Sequence, residues 1–175
     1  MSPLLDLLVV LLALFLVSTY LSWRAGRLDR LHARVDLARA GLDAALVRRA
    51  AVSLELAASR LLDPATSLVL ATAAHQARTA DHERREFAES DLSRALRAVL
   101  EQPGFREAVE GEGSALLEEL ETAAQKVEFA RRFYNDAVAT TRTARRRPLA
   151  RVLPLAGRAP LPEFFEIDDV PPEVR

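Results

Sequence analysis

Cysteine is absent from this chain of 175 residues. That excludes disulfides, thiol nucleophiles and thiolate metal sites, and it agrees with a reducing compartment. Glycine is scarce, at six residues, and forms neither a Gly-rich phosphate loop nor a Gly-x-Ser-x-Gly elbow, so no phosphate cradle or nucleophile is recognisable. The three histidines stand without the ligands that would make them a metal site. His75 and His82 are seven apart, but Thr79 fills the intervening place, and there is no His-Glu-x-x-His pair, Glu-x-x-His signature or oxygen-rich calcium loop. His32, among arginines, reads as a solvated surface residue. Runs of β-branched residues are missing too, so no strand is expected. No catalytic residue, metal or cofactor is assigned, and the chain is read as a non-enzyme.

Basic residues are missing from one more place, the stretch Met1 to Trp23, which is almost uninterruptedly apolar. From Leu4 to Ser22 its sole charge is Asp6, and roughly 20 apolar residues in a helix rising ~1.5 Å each suffice to cross a bilayer. Tyr20 and Trp23 stand at the far boundary, where interfacial aromatics belong, and Arg24, Arg27, Arg30 and Arg34 follow at once. By the positive-inside rule the segment is a single-pass anchor in the cell's inner (plasma) membrane, N-terminus outside and the rest cytoplasmic. The rival, a cleaved signal peptide, would want a basic start and a small-x-small site, and neither is visible around Ser18 to Gly26. Asp6, near the outer end, can sit in headgroup water.

The net charge of -1 conceals unlike blocks. Residues 24 to 62 carry eight arginines against four acids, residues 81 to 121 twelve acids against five bases, and residues 122 to 160 nine bases against two acids. Antiparallel helices of opposite sign would use such blocks to choose neighbours, and solvated outer faces would show them as well.

From Arg24 to Arg147, Ala, Leu, Arg and Glu dominate, and pattern and propensity both indicate helix. Leu28, Leu31, Val35, Ala38, Leu42 and Leu46 form one seam continuous with the anchor, so anchor and first bundle helix are expected to be one rod. Asp63-Pro64 is a stop and restart signal. The second helix should run from Pro64 through Leu68, Ala71 and His75 and fray or break in the charged stretch Asp81 to Glu89. A third, capped by Ser90 or Asp91, should carry Leu92, Leu96, Val99 and Leu100; whether it joins the second is open. Pro103-Gly104 ends it, and Gly111 with Gly113 marks a loop. A last helix capped by Ser114 presents Leu117, Leu120, Ala124, Val127, Tyr134 and Val138 and fades near Arg147 and Pro148. The expected fold is all-α: an anchor (1–23), an antiparallel up-and-down bundle of four helices, or three long ones (24–147), and a Pro-rich, acidic tail (148–175).

The stretch Ala130-Arg131-Arg132-Phe133-Tyr134-Asn135-Asp136-Ala137-Val138 resembles the LemA family, whose last long helix carries Ala-Arg-x-x-Tyr-Asn-x-Ala-Val. The basic pair Arg48-Arg49, the aromatic-acid end Phe164-Phe165-Glu166 and the single N-terminal membrane helix are similar as well. The resemblance implies a four-helix antiparallel bundle on a membrane stalk, without an established catalytic activity. Two features depart from the pattern: Thr141 and Arg142 stand where a second Tyr-Asn pair would follow, and no proline lies between Arg49 and Asp63.

Arg49, Ala130, Arg131, Tyr134, Asn135, Ala137, Val138, Phe165 and Glu166 are therefore read as packing determinants. Tyr134 can bury its ring while its hydroxyl finds a partner, and Asn135 can donate and accept across an interface. Phe129 and Phe133 are expected in the core. The cluster Arg142, Arg145, Arg146, Arg147 and Arg151, with Arg158, is the surface feature that suggests a partner: anionic lipid if the last helix returns to the membrane, or the acidic tail, Glu163 to Glu173, folded back on it. The expected function is a scaffold or adaptor tied to the bilayer with a protein partner. Homo-oligomerisation is left open and nucleic acid is not the expected ligand. The competing classes are a small-molecule sensor or enzyme with a pocket near Tyr134 and Asn135, and a lipid or nucleic-acid binder through the arginines.

Overall fold

The structure, a computed structural model, describes residues 3–109, 111, 113–146 and 160–169, and the regular structure among them is entirely helical. Four long helices, α1 (Pro3–Ala58), α2 (Pro64–Thr79), α3 (Arg85–Leu100) and α5 (Ser114–Arg146), are joined by short turns and a five-residue α4 (Phe105–Val109). The expected single rod is present: α1 runs 56 residues without interruption.

Local chemistry explains most boundaries. Past α1, Arg60 takes a left-handed φ of 63° and the Ser59 hydroxyl donates to the Leu56 carbonyl at 2.7 Å, turning the chain out of the helix. Asp63 then caps α2, its Oδ1 accepting from the amides of Ala65 at 3.0 Å and Thr66 at 3.1 Å, with Pro64 at the first helical position. Hydrogen bonding from Thr66, first by its side chain and then by its amide, with Ala65 contributing less, holds the Asp63 carboxyl below the usual aspartate value. A lowered folded-state value means that the cap stabilises fully above the unfolded-chain value near ~3.9 and loses its contribution as pH falls through the folded value. Asp63→Ala should accordingly lower the melting temperature at pH 7. The deficit relative to wild type should shrink at pH 3, whereas Asp63→Asn should keep part of the cap at both; thermal melts followed by circular dichroism check this.

Expectations change at three boundaries. The third helix begins five residues before Ser90, because the Asp81 carboxylate accepts from the Arg84 amide at 3.0 Å and closes a turn from which the Ala88 amide reaches the Arg84 carbonyl. It is separate from α2, which stops at Thr79. The stretch after Pro103 is not wholly loop: Gly104, at φ 79°, turns the chain into α4, whose Phe105 and Val109 share one buried face. Gly113 permits a close approach, since a Cβ there would stand 2.6 Å from Val109 Cγ1 and 2.8 Å from Leu61 Cδ1. The Ser114 hydroxyl donates to the Gly111 carbonyl at 2.9 Å and so braces the loop rather than accepting as the expected cap.

The chain divides into two compact units. The first comprises Met1–Leu37 and Asp136–Glu163. Here α1 and the end of α5 are antiparallel: Arg34 pairs with Asp136 at 3.5 Å and the Thr141 hydroxyl approaches the Leu31 carbonyl, also at 3.5 Å. Leu28 and Val35 on α1 and Ala137, Val138 and Thr141 on α5 are buried, while His32 is half-buried with its Nδ1 2.9 Å from the Leu28 carbonyl, not a fully solvated surface residue. Toward the N-terminus, α1 has a window of mean hydropathy 2.5, none of it buried, long and apolar enough to cross a membrane.

The second unit comprises Ala38–Asn135 and Phe164–Arg175. Its core joins Val52 and Leu56 of α1, Leu70, Ala74 and Ala77 of α2, Leu92, Leu96 and Val99 of α3, Phe105 and Val109, and Leu120 of α5. Burying each Leu stabilises by about 1.5–3 kcal/mol. The buried face of α2 is Leu70, Ala73, Ala74 and Ala77, whereas Leu68 and His75 are exposed. Phe129 and Phe133, expected in the core, are 63% and 50% exposed.

Candidate functional site

The polar chemistry of the second unit collects on α3, whose side chains point two ways. Toward α1, Glu89 and Ser93 are one turn apart and both buried. Arg49, 3% exposed, donates to Ser93 Oγ at 2.9 Å, to Glu89 Oε2 at 2.8 Å and to the Glu89 carbonyl at 3.2 Å. Arg85 adds its charge 3.5 Å from Glu89 Oε1 and 3.6 Å from Asp43. Buried charges persist when paired and hydrogen-bonded, and here one carboxylate faces two guanidiniums. The Nε of Arg49 is buried without an acceptor among the described residues.

On its other polar side α3 forms a groove with α5, and the segment Phe164–Asp169 lies in it as an extended strap. Successive residues of an extended chain face opposite ways, and the contacts alternate accordingly. Phe165 and Asp169 engage α5, while Glu166 and Asp168 engage α3. The Asn135 side chain behaves like a neighbouring strand: its Oδ1 accepts from the Phe165 amide at 2.9 Å and its Nδ2 donates to the Phe165 carbonyl at 3.0 Å. Arg131 grips Asp169 with two bonds, 2.6 Å from Nε and 3.0 Å from Nη2, the fork geometry that suits guanidinium and carboxylate. Opposite, the Glu166 amide donates to Glu86 at 2.8 Å, the Asp168 amide to Ser90 at 3.1 Å, and the Asp168 carboxylate takes two bonds from Arg97. That carboxylate holds Arg97 more firmly protonated than usual. Three strap amides thus find side-chain acceptors where no sheet could supply them.

In the first unit, Arg142 donates to the Pro162 carbonyl at 3.1 Å and Arg145 to the Pro160 carbonyl at 2.9 Å; Arg146 is exposed. The expectation that the acidic tail folds back is met with different partners. Its aspartates go to Arg97 and Arg131, while Arg142 and Arg145 of the cluster donate to main-chain oxygens of Pro162 and Pro160. Arg147, Arg151 and Arg158 lie outside the described residues.

The other singled-out residues sort themselves by burial. Tyr134 is buried, Ala130 is half-buried, and Ala137 and Val138 are buried in the first unit. His75 and His82 do not share a helix, and Arg39 donates to His82 Nδ1 at 3.3 Å. Among the described residues no group of three or more His, Asp or Glu is placed to hold a metal ion.

Sequence reasoning missed Glu86, Glu89, Ser90, Ser93 and Arg97. The available signal was the four-residue spacing of Arg85, Glu89 and Ser93 beside Glu86, Ser90 and Arg97: two polar stripes on one helix, hence two polar interfaces. No protein-family model, curated protein or solved structure matches the chain.

Proposed function

We propose that this protein is a single-pass membrane protein that displays a LemA-like helical bundle to the cytoplasm as a non-enzymatic scaffold or adaptor. One observation carries the reading: a single uninterrupted helix, α1, holds an exposed, strongly apolar stretch at one end and Arg49, anchored to α3, at the other. Arg24, Arg27, Arg30 and Arg34 after the apolar stretch favour the cytoplasmic orientation. Asn135 and Phe165, both among the residues that carry the LemA resemblance, meet in one contact.

A second reading, anionic-lipid binding through the arginines, is favoured by the antiparallel first unit. Because Asp136 and Thr141 lie beside Arg34 and Leu31, the last turn of α5 with Arg145 and Arg146 points toward the apolar end of α1.

Photocrosslinkers at Arg132, Asp136 and Arg146 in the full-length protein, activated in cells, separate the two. Discrete protein adducts are expected from Arg132 and Asp136. Lipid adducts alone at all three positions would replace the adaptor reading with a membrane-surface one.

A further inference from the structure

The strap is attached in the manner of a bound peptide rather than a core element. None of residues 160–169 is fully buried, and the segment Phe164–Asp169 is held by side chains of α3 and α5 that reach its main chain and its two aspartates. The Asn135 amide reads main chain, which any sequence offers. The two guanidiniums read charge: Arg97 and Arg131 take adjacent aspartates on opposite sides of the extended chain. Such a site selects an extended peptide with paired acids and is indifferent to much else.

We propose that the α3–α5 groove is a receptor for an extended acidic segment of a partner protein that carries two adjacent carboxylates, and that Phe165–Asp169 is its resident occupant. The inference names the partner chemistry of the adaptor reading and rests on it. Charge complementarity argues for the occupant, because an empty groove would present two arginines without their aspartates. Partly exposed, charge-assisted bonds also favour exchange, being screened by salt, and the strap's Phe165 and Ile167 are only half-buried. The tail therefore acts as a competitor in cis, always nearby, which a partner segment displaces when it binds the groove more strongly.

The test uses the full chain in nanodiscs holding one copy each, and a fluorescent peptide with the sequence of residues 160–169. Wild type should bind the peptide weakly, since its own tail competes. D168N/D169N, and a chain ending at residue 159, should bind it about tenfold or more tightly. Adding R97Q/R131Q to either should abolish the gain, as should replacing both aspartates of the peptide by asparagine, and binding should weaken as salt rises. Circular dichroism melts establish that the shortened chain is folded; if it is not, D168N/D169N alone decides. Tail-weakened protein that binds no better than wild type, or binds equally without the two arginines, overturns the proposal. Peptide binding with no protein adducts in cells would instead retain the groove and remove the adaptor reading.

Discussion

Arg49→Ala destabilises the bundle by about 3–5 kcal/mol, the loss expected when one partner of a buried ion pair is removed and the other charge stays behind. Glu89 is 1% exposed, and without Arg49 it keeps only Arg85, at 3.5 Å. Ser93 loses its donor and the carboxylate loses its shortest bond. Desolvation, not the missing attraction, supplies most of the effect, so removing both charges should be far milder. Arg49→Met with Glu89→Met should recover most of the loss, because two apolar side chains of similar volume leave neither charge stranded. Urea unfolding of the full-length protein in detergent, read by helical ellipticity, measures both variants against wild type. A loss below about 1 kcal/mol for Arg49→Ala, the range of exposed pairs, would show that the network is solvated. Among the described residues the Arg49 Nε has no acceptor, and an unsatisfied donor inside the network lowers what the network adds to net stability.

Removal of residues 1–23 shifts the protein wholly from the membrane to the soluble fraction. The apolar window of α1 is unburied and has a mean hydropathy of 2.5, and each Leu, Val or Phe near the centre of a span favours insertion by about 0.3–0.6 kcal/mol. Summed over such a window this far exceeds what surface arginines add, at about 1 kcal/mol each near an anionic leaflet. Full-length protein should resist alkaline carbonate extraction, and the shortened form should be washed away. On the proposed cytoplasmic orientation, protease added from the outer side should leave the bundle intact. Digestion of the bundle from that side would overturn the cytoplasmic orientation.

The parts of the fold that were legible in the sequence are those fixed within a few residues of chain. Asp63 followed by Pro64 marks a helix start because the carboxylate needs only the next two or three amides. The seams of α1 and α5 were legible because Leu42, Leu46, Leu120 and Val127 stand at helical spacing among polar neighbours, and all four are buried. The face of α2 was not. Its inward positions are Leu70, Ala73, Ala74 and Ala77, one leucine with three alanines, while the equally apolar Leu68 and Val69 alongside stay out. Periodicity weighs a residue by its type and cannot see how closely a neighbouring backbone approaches. Phe129 and Phe133 mislead for the same reason, being apolar and at helical spacing yet exposed. The start of α3 was hidden because Glu89, a charge in the middle of a polar run, is an inward-facing residue once Arg49 meets it.

The candidate site follows the same division. Arg49, Arg131 and Asn135 could be singled out as residue types in a pattern, but what each does depends on partners 30 to 40 residues away along the chain.

The sequence by itself determined that this protein is helical, that its N-terminal stretch suits a bilayer, and where most helices begin and end, because propensity, capping and hydropathy act over one or two turns. Only the tertiary structure decided which face of α2 is buried, which carboxylate neutralises Arg49, and that the tail lies between α3 and α5. Burial and charge pairing are properties of neighbours in space, and a guanidinium has the same local signature whether it faces water, a lipid headgroup or an aspartate brought to it from the far end of the chain.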